Sequence, residues 1–420
     1  MTLSKCITRT NETRATLEFT VECHGEEESH RRPASGASSA TWNRVYEYTP
    51  APGQFINELV SGGFTGTETT PEAAVAYAEE RMRKNTWVSL GGWGGYIVVG
   101  FDHSIDNSSS GYKGGYNFSI TGNAFKGSSE PGIVYVMQDT NGNTLPDDEW
   151  YELKGSEFGK EETVQDYAVT YYRPTYSGAD VQWKDNQGVK GKIDYLKQYH
   201  DQPSYYPAWI GTDSYTLYGP CLKSRTYDQS GNGSYWVNGE YDWGYADNFG
   251  NDRLSEDDNA AAGAMKVYFK ISNAVDKNGQ PADLKYIDFI RVQTGVNAKA
   301  GWLGENSTEV FGFTDENINQ ANRREYENNR YNLLPRTTVH GMQRREDRTA
   351  WGSDNYIVSF SLTTGADTYP AVIRDGRITV SIPYNVSLEG AQVSYELCEH
   401  ASILPRPGDC RDWNQEWQFL

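Results

Sequence analysis

From Trp87 to about residue 313, short apolar runs are separated by Gly- and Asn-rich turns, and helical periodicity is scarce. The clearest runs are Tyr96 to Phe101, Ile133 to Met137, Val169 to Tyr171, Val267 to Ile271 and Tyr286 to Val292. Each has the length of a strand, and no run of helices is interleaved between them. Many strands without such helices point to an all-β fold, a jelly-roll β-sandwich. The 42 glycines and 30 tyrosines suit it. Gly supplies positive φ in tight turns, and Tyr fits a pleated surface.

One short helix is expected. Thr69 or Thr70 can cap it, Pro71 sits near its first turn and Glu72 favours its positive end. Ala73, Ala74, Ala76 and Met82 carry it to about Lys84. Upstream, Leu17, Phe19 and Val21 alternate as in a half-buried strand, but residues 1–24 are too few to fold alone. Residues 25–41, with three successive glutamates and a Pro/Ser/Gly/Ala stretch, read as a linker or long loop. The jelly roll is assigned residues 42–345. Near its end, Asn317 to Asn332 is polar, and reads as a short helix or a surface excursion. A second β unit is assigned residues 352–420. In it Val358, Phe360 and Leu362 alternate, Asp375-Gly376 signals a hairpin, and Ile378, Val380 and Ile382 follow. Val393, Tyr395 and Leu397 make a further strand. An immunoglobulin-like sandwich needs about seven strands in about 100 residues. The stretch from Tyr356 to Leu420 is shorter, so this domain is expected to be truncated.

Charge narrows the functional classes. A net charge of −19 repels phosphate backbones and anionic membrane surfaces, which disfavours nucleic-acid binding and polybasic lipid contacts. It suits plain solubility or the attraction of cations. The five cysteines are scattered without a C-x-x-C, so a zinc ribbon or thioredoxin-like motif is absent. No apolar run is long enough to span a membrane, and no export signal is present at the start. The polar start leads straight into a strand pattern, so the chain is expected to begin inside a domain.

The central segment resembles bacterial surface jelly-roll domains. The resemblance rests on Val88-Ser-Leu-Gly-Gly-Trp-Gly-Gly-Tyr-Ile-Val-Val-Gly-Phe-Asp102, Gly115-Tyr-Asn-Phe-Ser-Ile120 and Glu130-Pro-Gly-Ile-Val-Tyr-Val-Met137. It continues with Ile287-Asp-Phe-Ile-Arg-Val-Gln293 and Gly301-Trp-Leu-Gly-Glu-Asn-Ser-Thr-Glu-Val310. Residues 1–24 look like the last part of a PKD-like domain, and residues 356–404 like a Bacteroides-type immunoglobulin-like repeat. The ending Arg406 to Leu420 departs from that repeat's alternating strands. The resemblance implies a lipoprotein on the outer face of a Gram-negative gut bacterium, anchored in the outer membrane. It also implies companionship with a TonB-dependent transporter that takes up a corrinoid such as cobalamin, or glycans.

A calcium loop is the leading chemical motif. In Asp139-Thr-Asn-Gly-Asn-Thr-Leu-Pro-Asp-Asp-Glu149, oxygen side chains fall at positions 1, 3 and 5: Asp139, Asn141 and Asn143. Leu145 offers a carbonyl, and Asp147, Asp148 or Glu149 a closing carboxylate. The EF-hand Gly and Glu are replaced by Thr144 and Trp150, so the loop is at best EF-like. An ordinary Asn-Gly turn with solvated acids is the plainer reading. Asp102, Asp106 and Asn107 form a second acidic group, whereas Glu256, Asp257 and Asp258 read as a solvated loop. Gly91 to Gly95 lacks the Lys and helix of a phosphate loop, and is expected to be a turn that lets Trp93 pack or project.

Catalytic motifs are missing. Neither H-E-x-x-H nor G-x-S-x-G occurs. His103 lies between Asp102 and Ser104, but neighbours on a regular strand point to opposite faces, so no triad is expected there. Residues 195 to 245 are crowded with Tyr and Trp between Gly, Pro, Asn and Asp. Such rings either anchor a long insertion or present flat faces to a sugar or a corrin. Trp209, Tyr235, Trp236 and Trp243 are the ligand candidates, each with Gly, Asn or Pro within two residues. The expected function is ligand capture without catalysis, stiffened by structural calcium. The rivals are a glycoside hydrolase or lyase, and a spacer or adhesin.

Overall fold

The computed structural model describes residues 2–9, 14–22, 30–108, 115–253 and 265–318, and from the C-terminal part 357–364, 367–374, 377–383, 392–397, 403–404 and 417–419. The chain is all-β and sandwich-like. It divides into two compact units, one of residues 30–336 and one of residues 1–29 with 337–420.

In the larger unit a six-stranded antiparallel sheet runs in the order Ala274–Val275, Trp150–Leu153, Gly132–Met137, Tyr286–Thr294, Tyr96–Asp106, Arg44–Thr49. A three-stranded sheet of Met265–Phe269, Phe118–Gly122 and Gly312–Asp315 covers it. Val45, Val99, Val134, Ile290 and Val292 from the first layer share one core with Phe118, Ile120, Val267, Phe269 and Phe313 from the second. The apolar runs of the sequence therefore supply the contact face between two layers. All five expected strands lie in or across these sheets and a further four-stranded one. That sheet has the order Lys190–Ile193, Val181–Asp185, Val164–Tyr172, Ser214–Cys221. It closes a second core of Tyr167, Val169, Tyr171, Val181 and Leu217 around Trp93.

The helix spans Pro71–Arg83, and the Thr70 hydroxyl accepts from the Ala73 N–H at 3.2 Å. Its Ala74, Tyr77, Ala78 and Met82 are buried. No helix among the described residues is long and apolar enough to cross a membrane.

Two boundaries differ from the sequence reading. Residues 30–41 are not a free linker. Arg31 pairs with Asp106 at 2.6 Å, Arg32 with the buried Asp288 at 3.0 Å, and the Ser104 N–H donates to the Arg32 carbonyl. Two guanidinium forks thus tie this stretch to the sandwich. The two chain ends, read as separate partial domains, contribute to one sheet. Arg14–Glu22 pairs with Arg377–Pro383, setting Leu17 opposite Val380, and Thr2–Arg9 pairs with Trp417–Phe419. Asp375-Gly376, Glu256 to Asp258 and most of Asn317 to Asn332 lie outside the described residues.

Candidate metal centre

Three carboxylates from distant stretches meet inside the larger unit. Glu130 precedes the strand Gly132–Met137, Asp247 lies in a turn, and Glu309 opens the strand Glu309–Val310. One oxygen from each lies within 4.8 Å of the others. Asp247 is fully buried, Glu309 is 3% exposed and Glu130 is half-buried. No Lys or Arg among the described residues forms an ion pair with any of them.

The backbone aims these groups. Asp247 adopts a left-handed conformation with φ 51°, uncommon outside Gly and a mark of functional sites. Its Oδ1 accepts from the Asn123 and Ala124 N–H groups, both at 2.8 Å, and its Oδ2 from the Glu309 N–H at 2.9 Å. Gly122 leaves room for that carboxylate, since a Cβ there would fall 2.5 Å from Asp247 Oδ1. Glu130 Oε1 accepts from the Ser307 N–H at 3.3 Å. Glu309 Oε1 is buried and has no hydrogen-bond partner.

Burial and mutual repulsion disfavour the charged forms. Burial and the Asp247 charge push Glu130 up to about 8. Burial pushes Asp247 up to about 7 against its three N–H donors. Glu309 is raised well above the ordinary carboxylate range by burial, Glu130 and Asp247. Such a group either holds protons or surrounds a cation. Calcium–oxygen distances are about 2.3–2.6 Å, so oxygens on opposite sides of one ion stand roughly 4.8 Å apart. The spacing and the all-oxygen donor set fit a hard divalent cation.

The expected calcium loop is folded on itself. Asp139, 1% exposed, accepts from the Gly142 and Thr144 N–H groups at 2.7 and 2.9 Å. Asn141 and Asn143 each accept a backbone N–H, from Asn143 and Leu145, and turn their amides toward Asp147. Those amide bonds hold Asp147 below the usual carboxylate range. Asp148 bonds Thr140, and the Leu145 side chain is exposed. The loop does assemble Asn141, Asn143 and Asp147, while Asp148 points to another partner. In the second acidic group, Asp106 holds Arg31, Asn107 donates to the Leu284 carbonyl and Asp102 bonds His103.

The aromatic candidates do not form one platform. Trp209 is 5% exposed and packs against Tyr48 and Phe64, each 5.7 Å away. It is a core residue, so its expected role as an exposed ring is corrected. The Trp236 indole donates to the Gly233 carbonyl and packs on Gly301. Tyr235 is exposed. Trp243 edges a separate cavity of about 210 Å³ beside Asp252 and Lys270. Of the nine other rings in this stretch, Tyr205, Tyr206, Tyr241 and Tyr245 are buried anchors, whereas Tyr199, Tyr218 and Tyr227 are exposed.

His103 corrects a geometric expectation. The register between Tyr96–Asp106 and Tyr286–Thr294 slips between Ile287 and Phe289. The strand is irregular there, and neighbouring side chains do meet. His103 Nδ1 lies 2.6 Å from Asp102 and Nε2 2.8 Å from Asp315. Burial works against its protonation, but the bonds to Asp315 and Asp102 raise its affinity for a proton. Ser104 donates to Asp288, not to the imidazole, so no nucleophile is paired with this base.

The sequence signal for the carboxylate centre was weak. Glu130 and Glu309 fall in stretches quoted for the resemblance, yet nothing in their spacing joins them to Asp247. No protein-family model matches this chain, and a search of curated proteins finds no match.

Proposed function

We propose that this chain is the ligand-capturing module of a bacterial cell-surface protein, stiffened by one calcium ion at Glu130, Asp247 and Glu309, and that it performs no catalysis. The buried, uncompensated carboxylate centre supports this reading most strongly. Calcium would supply the positive charge that these carboxylates lack. Asp247 is oriented by N–H groups of two other segments, and Glu309 stands on a strand paired with Val88–Ser89. A cation shared by the three would tie these segments together and hold the loops of the sandwich in place. Loops on a rigid scaffold are where binding surfaces usually sit. The cell-surface setting, an outer-membrane lipid anchor and a TonB-dependent partner follow from the resemblance in the sequence.

The non-catalytic part is supported by His103, clamped between two carboxylates, and by Ser104, committed to Asp288. Chromogenic glycosides, esters and peptides should be turned over no faster with the protein than in buffer. An activity abolished by one Asp or Glu substitution in a variant that still folds would replace this reading with an enzymatic one.

A further inference from the structure

The six-stranded sheet has a second face, turned away from the shared core. Register sets Glu47, Val98, Arg291, Tyr135 and Glu152 in one row across five of its strands. Opposed residues in a sheet point to the same side, and the alternate residues Val99, Ile290, Val292 and Val134 fill the core. On the outer face Val98, Met137 and Phe289 form a small apolar floor, against which Tyr96 and Trp150 pack. The strand Ser214–Cys221 closes one end, where the Gln293 amide donates to the Tyr218 carbonyl at 2.9 Å.

Arg291 stands at the centre of that row. Its guanidinium carbon lies 3.9 Å from the centroid of the Tyr96 ring and 5.3 Å from that of Tyr135. Nη2 donates to Gln293 Oε1 at 2.6 Å, and Nε is buried without a partner. Nη1 makes no hydrogen bond, and no carboxylate among the described residues pairs with Arg291. The Tyr135 hydroxyl, the Trp150 indole N–H and the Glu152 carboxyl are likewise unbonded among the described residues. All four side chains are half-buried, and none of these free atoms is enclosed, so each is open to solvent.

We infer that this sheet face binds a hexuronate residue of an acidic glycan, its carboxylate on Arg291 and its far hydroxyls on Tyr135 and Glu152. The inference rests on the ligand-capture reading and names the ligand class. Charge argues first. The chain carries a net charge of −19, yet no acid is placed beside Arg291. A half-buried guanidinium without a counter-charge is costly, and an anion from outside would supply one through a charge-assisted hydrogen bond to Nη1. Spacing argues next. Neighbouring strands lie about 4.8 Å apart, so the backbones of Arg291 and Glu152 are separated by about 10 Å, with Tyr135 between them. A pyranose with a carboxylate on one edge and hydroxyls on the opposite edge bridges that span when both side chains reach toward it. Tyr135 and Trp150 add donors and flat ring surface for the C–H face of a sugar. A neutral sugar would leave the guanidinium unpaired. A phosphate dianion would meet Glu47 and Glu152 on either side, so the single charge of a uronate suits the row better.

Titration calorimetry of the full chain with the methyl glycosides of glucuronate, galacturonate and mannuronate, each against its glucose, galactose or mannose counterpart, tests this. At least one uronide should bind, at least tenfold more tightly than the neutral sugar, and added salt should weaken it. Arg291→Gln should erase that preference. Glu152→Gln and Tyr135→Phe change little in shape and should each weaken the uronide about threefold or more. Equal binding of a uronide and its neutral counterpart, or a preference that survives Arg291→Gln, would overturn the assignment. So would binding of inorganic phosphate in place of every uronide. Cobalamin is titrated in parallel. If only cobalamin or neutral glycosides bind, the uronate inference fails and ligand capture stands; if no probe binds, both fail.

Discussion

Without calcium, the larger unit should lose stability as pH rises from about 5 to about 8, and added calcium should reverse that loss. Unfolded carboxylates release their protons near pH 4. In the folded state Glu130 and Asp247 hold theirs to about 8 and about 7, and Glu309 is raised as well. Between those limits the native chain carries more protons than the unfolded one. The stabilisation is complete below the unfolded values and disappears as pH rises through the folded ones. The slope is about 1.4 kcal/mol per pH unit for each extra proton held. Calcium replaces the protons and binds only the folded state. At a hundredfold excess over Kd it should add ~2.7 kcal/mol, or roughly 5–10 °C in Tm. The gain should be larger at pH 8 than at pH 5, where protons compete. Scanning calorimetry of Glu309→Gln should show a shallower pH dependence and no calcium increment. A parent whose Tm ignores both pH and calcium would sink the account of this centre.

Trp93→Ala should be the most damaging single core substitution. Trp93 is 1% exposed and sits in the Gly-rich turn that the sequence marks at Gly91 to Gly95. Its indole donates to the Pro220 carbonyl at 3.2 Å and meets Tyr167 edge-on, with centroids 4.7 Å apart. Its own carbonyl accepts from the Tyr171 hydroxyl at 2.8 Å. One residue therefore pins the turn to the four-stranded sheet. Truncation of a buried Trp costs about 3–5 kcal/mol. Urea unfolding should report a loss of that size, with a smaller one for Trp93→Phe. A loss below about 1 kcal/mol would mean that the ring fills no essential space.

Local rules exposed much of the fold. Short apolar runs between Gly- and Asn-rich turns marked the strands Gly132–Met137 and Tyr286–Thr294, and Thr70, Pro71 and Glu72 marked the helix start. These signals sit within a few residues and survive without tertiary context. The pairing of Arg14–Glu22 with Arg377–Pro383 was illegible because strand partners far apart in the chain leave no local trace. Trp209 misled because Pro207 beside it reads as loop, yet the loop folds its ring against Phe64 and Tyr48. Asp102 and His103 misled because a regular strand was assumed where the register slips. The carboxylate centre was hidden for a different reason. Its meaning lies in burial and convergence, and neither is encoded by the spacing of Glu130, Asp247 and Glu309. The loop at Asp139 had the opposite profile, a recognisable spacing whose oxygens already accept N–H groups.

Metal content tests the central claim most directly. The protein would be equilibrated with calcium at pH 8, freed of unbound ion by gel filtration and analysed by mass spectrometry for calcium per chain. The parent and Asp139→Ala should each retain an ion that the Asp247→Asn, Glu309→Gln double variant has lost. Retention by the double variant with loss from Asp139→Ala would place the ion in the loop. A parent that holds no calcium would contradict the cation centre outright.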